Sequence, residues 1–152
     1  MIYIYSLPIN SGKTTNLINL TNDIKGCKKL CSLVSVKKIY KNKKEYFLYI
    51  NMYKVGKVVE VSDNKLYYFQ ELFDEVYKFV VSYPFNFFIV DEAGYLELAK
   101  KGFYKIIKYL INNNKDCIIC VRDCLLNDFI SFYKLKKYLI FDNISEIKKC
   151  LR

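Results

Sequence analysis

Residues 6–15 read SLPINSGKTT and follow the apolar run Ile2-Tyr3-Ile4-Tyr5. A strand that empties into a short turn and then opens a helix leaves few architectures open to a chain. Gly12-Lys13-Thr14 matches the second half of G-x-x-x-x-G-K-[ST]. Backbone N–H groups of such a loop wrap a phosphate chain at a helix N-terminus. In this reading Pro8, Ile9, Asn10, Ser11, Gly12, Lys13, Thr14 and Thr15 form a nucleotide-binding loop. Gly12 lets the backbone approach the oxygens, Lys13 reaches the β- and γ-phosphates, and the Thr14 hydroxyl takes Mg²⁺. Asn10 suits a left-handed turn position. Leu7 stands where the pattern has its first glycine, whose job is a tight turn, so a displaced or narrower cradle is expected. The competing reading is a plain strand–turn–helix connection.

A second stretch complements the first. FNFFIVDE, residues 85–92, is an apolar run of strand length that ends in two carboxylates, Asp91 and Glu92. Such runs suit a central strand buried on both faces of a parallel sheet. An aspartate at a strand end helps hold the Mg²⁺ of a phosphate-loop site. A neighbouring carboxylate can orient or deprotonate the attacking water. Because the strand is ending, Asp91 can face the metal while Glu92 turns toward the γ-phosphate. The alternative is a pair of solvated loop carboxylates.

The remaining pattern alternates helices and strands. A helix is expected over 12–24, with Leu17, Leu20 and Ile24 inward and Gly26 at its end. Residues 30–36 read as a strand, and 45–61 as two strands around a Lys54–Lys57 turn centred on Gly56. Asp63 or Asn64 is positioned to cap a helix carrying Leu66, Phe69, Leu72, Val76 and Val80, which ends before Pro84. A helix from about Leu98 to Asn112 turns Phe103, Ile106, Ile107 and Leu110 inward. DCIICV is a buried strand, 136–141 a last strand, and 144–151 a short helix. The expected fold is α/β, a three-layer sandwich with a mainly parallel sheet and a β-hairpin insertion, in one domain over 1–152.

The chain carries a formal net charge of +10, but Arg122 and Arg152 are its only arginines. Nucleic-acid sites lean on arginine for bidentate contacts, so nucleic acid is not the expected partner. VKKIYKNKKEY, residues 36–46, is dense enough to hold a polyanion, yet reads more simply as a solvated hairpin. CIICVRDC suggests a metal site, but residues three apart on a strand face opposite ways, and the chain has no histidine. Buried, reduced thiols are the simpler reading of Cys27, Cys31, Cys117, Cys120, Cys124 and Cys150. No run reaches the roughly 18 uncharged apolar residues of a membrane span. Met1–Tyr5 lacks the basic start and long apolar core of a secretory leader, so a cytoplasmic location is expected.

DEAGYLELAKKGF, residues 91–103, resembles the D-E-x-G-x-x-E-L segment of the small THEP-type nucleoside-triphosphatases, and IYSLPINSGKTTNLI resembles their phosphate-binding loop. The resemblance covers roughly residues 1–125 and is specific in these two blocks. It implies hydrolysis of triphosphates such as ATP or GTP to diphosphates, with Mg²⁺ as cofactor. It also implies a P-loop NTPase sheet of RecA-like type, with the strand after the carboxylate pair placed beside the first strand. Carried over, Lys13 and Thr14 bind phosphate and metal, Asp91 assists the metal, Glu92 is the base, and Gly94 and Glu97 complete the segment. The chain departs from the family at Leu7, in residues 37–57, where lysines replace arginines, and at Arg122, where the family tends to have histidine. Arg122 is a candidate catalytic charge stabiliser, or else the partner of Asp123 or Asp128. A non-enzymatic or weakly active nucleotide-binding protein and a small P-loop kinase remain as alternatives.

Overall fold

The computed structural model describes residues 1–8, 10–26 and 29–152, so the sequence-based readings of Ile9 and Cys27 lie outside the described residues. The elements run β1 Ile2–Leu7, α1 Lys13–Ile24, β2 Leu30–Tyr40, β3 Lys43–Ile50, β4 Tyr53–Ser62 and β5 Lys65–Tyr68. Then come α2 Gln70–Ser82, β6 Phe87–Ala93, α3 Tyr95–Leu98, α4 Tyr104–Asn112 and β7 Asp116–Arg122. A 3-10 turn over Asp123–Leu125, α5 Leu126–Tyr133, β8 Tyr138–Phe141 and α6 Ile144–Leu151 complete the chain.

All eight strands join one sheet in the order β5-β4-β3-β2-β6-β7-β1-β8. From β2 to β8 the pairs are parallel. From β2 to β5 they are antiparallel. β7 sits between β6 and β1, the placement implied by the family resemblance. The inner parallel strands β1, β2, β6 and β7 have buried residues on both faces, whereas the edge strand β8 leaves Leu139 and Ile140 exposed. On one side Ile4, Leu33, Val90 and Ile119 pack with Phe73 and Val76 of α2, Ile106 and Ile107 of α4 and Phe129 of α5. On the other, Tyr5, Ile89, Ile118 and Cys120 meet Leu17 and Leu20 of α1 and Ile147 of α6. The result is the expected three-layer sandwich. Cys117 and Cys120 fall in opposite layers, as strand alternation requires. Burial pushes the Cys117 thiol up to about 12 and that of Cys120 well above its ordinary value.

The insertion is larger than a hairpin. β2 continues through the basic stretch to Tyr40 and turns into β3, so residues 36–46 form a solvated hairpin. The next turn lies at Asn51 and Met52, both at positive φ, and not at Gly56. Gly56 is inside β4, where an added Cβ would lie 3.1 Å from Leu72 Cδ2 of α2. Its role is close packing of helix on strand. Asp63 and Asn64, at φ 50° and 59°, do not cap a helix but make the two-residue turn into β5. Two positive-φ residues are what a tight hairpin turn requires, and Asn and Asp tolerate them. Leu66 is therefore on a strand, Phe69 precedes α2, and the helix starts at Gln70. The helix expected from Leu98 is also broken. α3 ends there, Lys100 and Gly102 take φ 61° and 59°, and α4 starts at Tyr104.

Candidate functional site

The C-terminal ends of the parallel strands carry the site. β1 stays extended through Leu7, which pairs with Arg122 of β7, and its side chain packs against the layer of α1. This explains the missing glycine: the chain has not yet turned at Leu7, so no left-handed residue is needed there. The turn comes later, at Asn10 with φ 59° and Gly12 with φ 80°. α1 begins at once with Lys13, and Ser11 Oγ donates to the Pro8 carbonyl 2.6 Å away. The first backbone N–H groups of α1 point back into the turn, the arrangement that receives anions. The Lys13 ammonium donates to the carbonyls of Leu7 at 3.0 Å and Pro8 at 2.7 Å.

β6 brings in the carboxylates. Its pairing with β7 slips between Val90 and Ala93, and Glu92 sits in the left-handed region at φ 57°. A bulge of this kind re-aims side chains at a strand end, and a strained non-glycine residue is characteristic of functional sites. Asp91 is 1% exposed and accepts from Thr14 Oγ1 at 2.9 Å and from the Ser35 N–H at 3.3 Å. Burial raises its carboxyl to about 7 against the lowering effect of the Thr14 bond; Glu92 adds to the rise, and Ser35 and Lys13 oppose it.

Glu92 has a different partner from Asp91. Its Oε1 accepts from Arg122 Nε at 3.0 Å and Nη2 at 2.6 Å. Arg122 thus pairs with Glu92, and not with Asp123 or Asp128. Burial lowers the guanidinium, but the Glu92 hydrogen bonds and charge outweigh it and leave the group raised. One cavity of about 510 Å³ is lined by Asn10, Ser11, Gly12, Lys13, Thr14 and Thr15 together with Asp91, Glu92 and Arg122. Pro8 reaches the site through its carbonyl.

Three features escaped the sequence-based expectation. Lys37 of β2 and Lys44 of β3 line the same cavity, with Tyr46. Lys37 lies opposite Tyr46, and Ile39 opposite Lys44, so alternation puts both lysines on one face. That alternation was visible in the basic stretch. Glu97 turned out to be an organiser: it is 3% exposed and accepts from the Gly94 N–H at 2.7 Å and the Phe103 N–H at 3.0 Å. It ties the segment after the carboxylate pair into a fixed loop. The Glu92–Arg122 pairing carries no local sequence signal, because the two residues end different strands.

No family model matches the chain, and no curated protein matches it. Among solved structures, the crystal structure of THEP1 from the hyperthermophile Aquifex aeolicus superposes with a TM-score of 0.68. The match covers 93% of this chain and 89% of that one at 13% identity. The chain shares that structure's P-loop NTPase-like fold, an eight-stranded sheet flanked by helices. Among the described residues no helix is long and apolar enough to cross a membrane.

Proposed function

We propose that the protein is a Mg²⁺-dependent nucleoside-triphosphatase, taking ATP or GTP to the diphosphate and phosphate. The observation that carries this reading is the 2.9 Å bond from Thr14 Oγ1 to Asp91 Oδ2, which joins the loop to the carboxylate strand. A hydroxyl and a carboxylate are hard oxygen donors, and Mg²⁺ is commonly held by one or two protein oxygens plus substrate phosphates and water. The residues fit the ion. Thr14 and Asp91 would hold it, and when bound it would supply charge neutralisation for the phosphates.

The other roles belong to the chain. The turn ending at Gly12 offers backbone N–H groups to the phosphates. Lys13 exchanges the Leu7 and Pro8 carbonyls for phosphate oxygens. Glu92 orients and deprotonates the attacking water, and general bases contribute about 10²–10⁴-fold in rate. Arg122 donates both its bonds to Oε1, which leaves Oε2 to take the proton. Arg122 also brings positive charge to the γ-phosphate end, where stabilising the transition state is worth the most. Lys37 and Lys44 add positive charge from the insertion.

A second reading, a nucleotide-binding protein without turnover, draws on one observation: the Glu92 carboxylate is already engaged by Arg122. Phosphate release from ATP, GTP and CTP, with and without Mg²⁺, separates the two. Release that requires Mg²⁺ supports hydrolysis; tight binding with no release from any triphosphate supports the second reading.

A further inference from the structure

Behind the Glu92–Arg122 pair lies a second cavity, of about 220 Å³, under the insertion. Its body is apolar, made by Val59 and Val61 of β4, Leu66 of β5, Leu96 of α3 and Phe103. Its polar end is made by Ser35, Tyr46, Glu92 and Arg122, and the same four residues line the phosphate cavity. The two spaces therefore meet at the carboxylate that faces the γ-phosphate end. A water nucleophile needs only its own small volume and two to four polar partners. It has no use for an apolar chamber of this size. A ligand site, in contrast, is typically apolar with a few polar groups that fix orientation.

We propose that this second cavity binds a phosphoryl acceptor: a small alcohol with an apolar or aromatic body and its hydroxyl at the Glu92–Arg122 end. The proposal rests on the nucleotide reading of the loop. In the transfer step the acceptor oxygen forms a bond to the γ-phosphorus. The bond from that phosphorus to the β–γ bridging oxygen breaks, and the nucleoside diphosphate leaves with its electron pair. The hydroxyl proton passes to Glu92. The products are a phosphate monoester and the diphosphate, with no oxidant or reductant needed. Hydrolysis is then the reaction of the same centre with water in place of the acceptor.

The pocket's mouth gives a way to close it without touching the phosphate site. Leu66 is 53% exposed on the edge strand β5, where a larger aromatic side chain is tolerated. The experiment supplies the intact protein with Mg²⁺ and ATP labelled on the γ-phosphate, together with benzyl alcohol, phenol or n-butanol. The label is followed into ester and into free phosphate. At least one alcohol is expected to divert label into its phosphate ester. Leu66→Trp should cut ester formation by about tenfold or more while phosphate release without alcohol stays near the parent's. Leu66→Ala, which enlarges the cavity, should keep ester formation. Label found only in free phosphate with all three alcohols overturns the proposal, as does ester formation undiminished in Leu66→Trp. Failure of the parent to bind Mg²⁺–ATP in a titration removes the nucleotide reading and this proposal with it. Phosphate release without ester removes this proposal alone.

Discussion

The parallel and antiparallel halves of the sheet differ in how they are held and in what they contribute. The parallel strands β2, β6, β7 and β1 are packed between helix layers, and their C-terminal ends deliver Gly12, Lys13, Thr14, Asp91 and Arg122 to one cavity. The β3–β5 half is partly solvated, and β3 is tied to β4 by ion pairs such as Lys43–Glu60 at 2.5 Å and Lys57–Glu45 at 3.2 Å. Such partly exposed pairs contribute modestly to stability. This half adds Lys44 and Tyr46 to the cavity at the loop and most of the apolar wall to the second one. The lesson is a division of labour: the rigid half fixes the groups that need placement within a fraction of an ångström, and the looser half supplies charge and shape.

If that division holds, changes in the parallel half should alter chemistry far more than changes in the insertion. The largest expected effect on rate is that of Glu92→Gln. Turnover should fall by about a hundredfold to ten-thousandfold in single-turnover assays while Mg²⁺–ATP affinity stays near the parent's. An undiminished rate would take the base away from Glu92.

Asp91→Asn comes next. It should raise the Mg²⁺ needed for half-maximal phosphate release several-fold, since it removes the carboxylate proposed to hold the metal. The same variant tests a pH effect in metal-free protein. The Asp91 carboxyl is raised by burial from its ordinary 3.8 to about 7, so the folded chain holds a proton there that the unfolded chain releases. Its stabilising effect is present below about pH 4 and is lost as pH rises through about 7. Urea denaturation of the parent should show this decline, and Asp91→Asn should flatten it. An identical pH dependence in both would mean that Asp91 titrates normally.

In the insertion, Lys44→Ala should weaken triphosphate binding only a few-fold, and by less as salt is raised, because exposed charges are screened beyond about a Debye length. A loss as large as that of a loop residue would blur the contrast between the halves. The smallest effect on affinity is expected for Leu7→Gly. It should cost stability, by about 1–3 kcal/mol for lost packing and added chain freedom, and leave nucleotide binding close to the parent's. Improved binding would show that Leu7 does narrow the cradle.

The same division explains what could be read from the sequence. FNFFIV and DCIICV are uninterrupted apolar runs because both faces of those strands are buried, and their place in the sheet followed from that. The loop was legible because Asn10 and Gly12 meet backbone demands that few residues meet, and Lys13 follows them with a side-chain ammonium. In the insertion one face is wet, and lysines alternate with aromatics, so periodicity said strand without saying where it turned. Gly56 looked like a turn residue but serves a helix contact; the true turns fall at Asn51-Met52 and Asp63-Asn64. β5 was hidden because Leu66 and Phe69 also fit helical spacing with Leu72. The partners of Arg122 were not legible, since the pairing with Glu92 depends on the bulge that follows Val90.

The central claim is that the parallel half holds a triphosphate through the loop ending at Gly12. Calorimetric titration of Mg²⁺–ATP into the parent and into Lys13→Ala tests it most directly. The account predicts saturable binding by the parent and loss of most of that affinity in the variant, because the phosphates lose the loop's point charge. Equal affinities in the two proteins would contradict it.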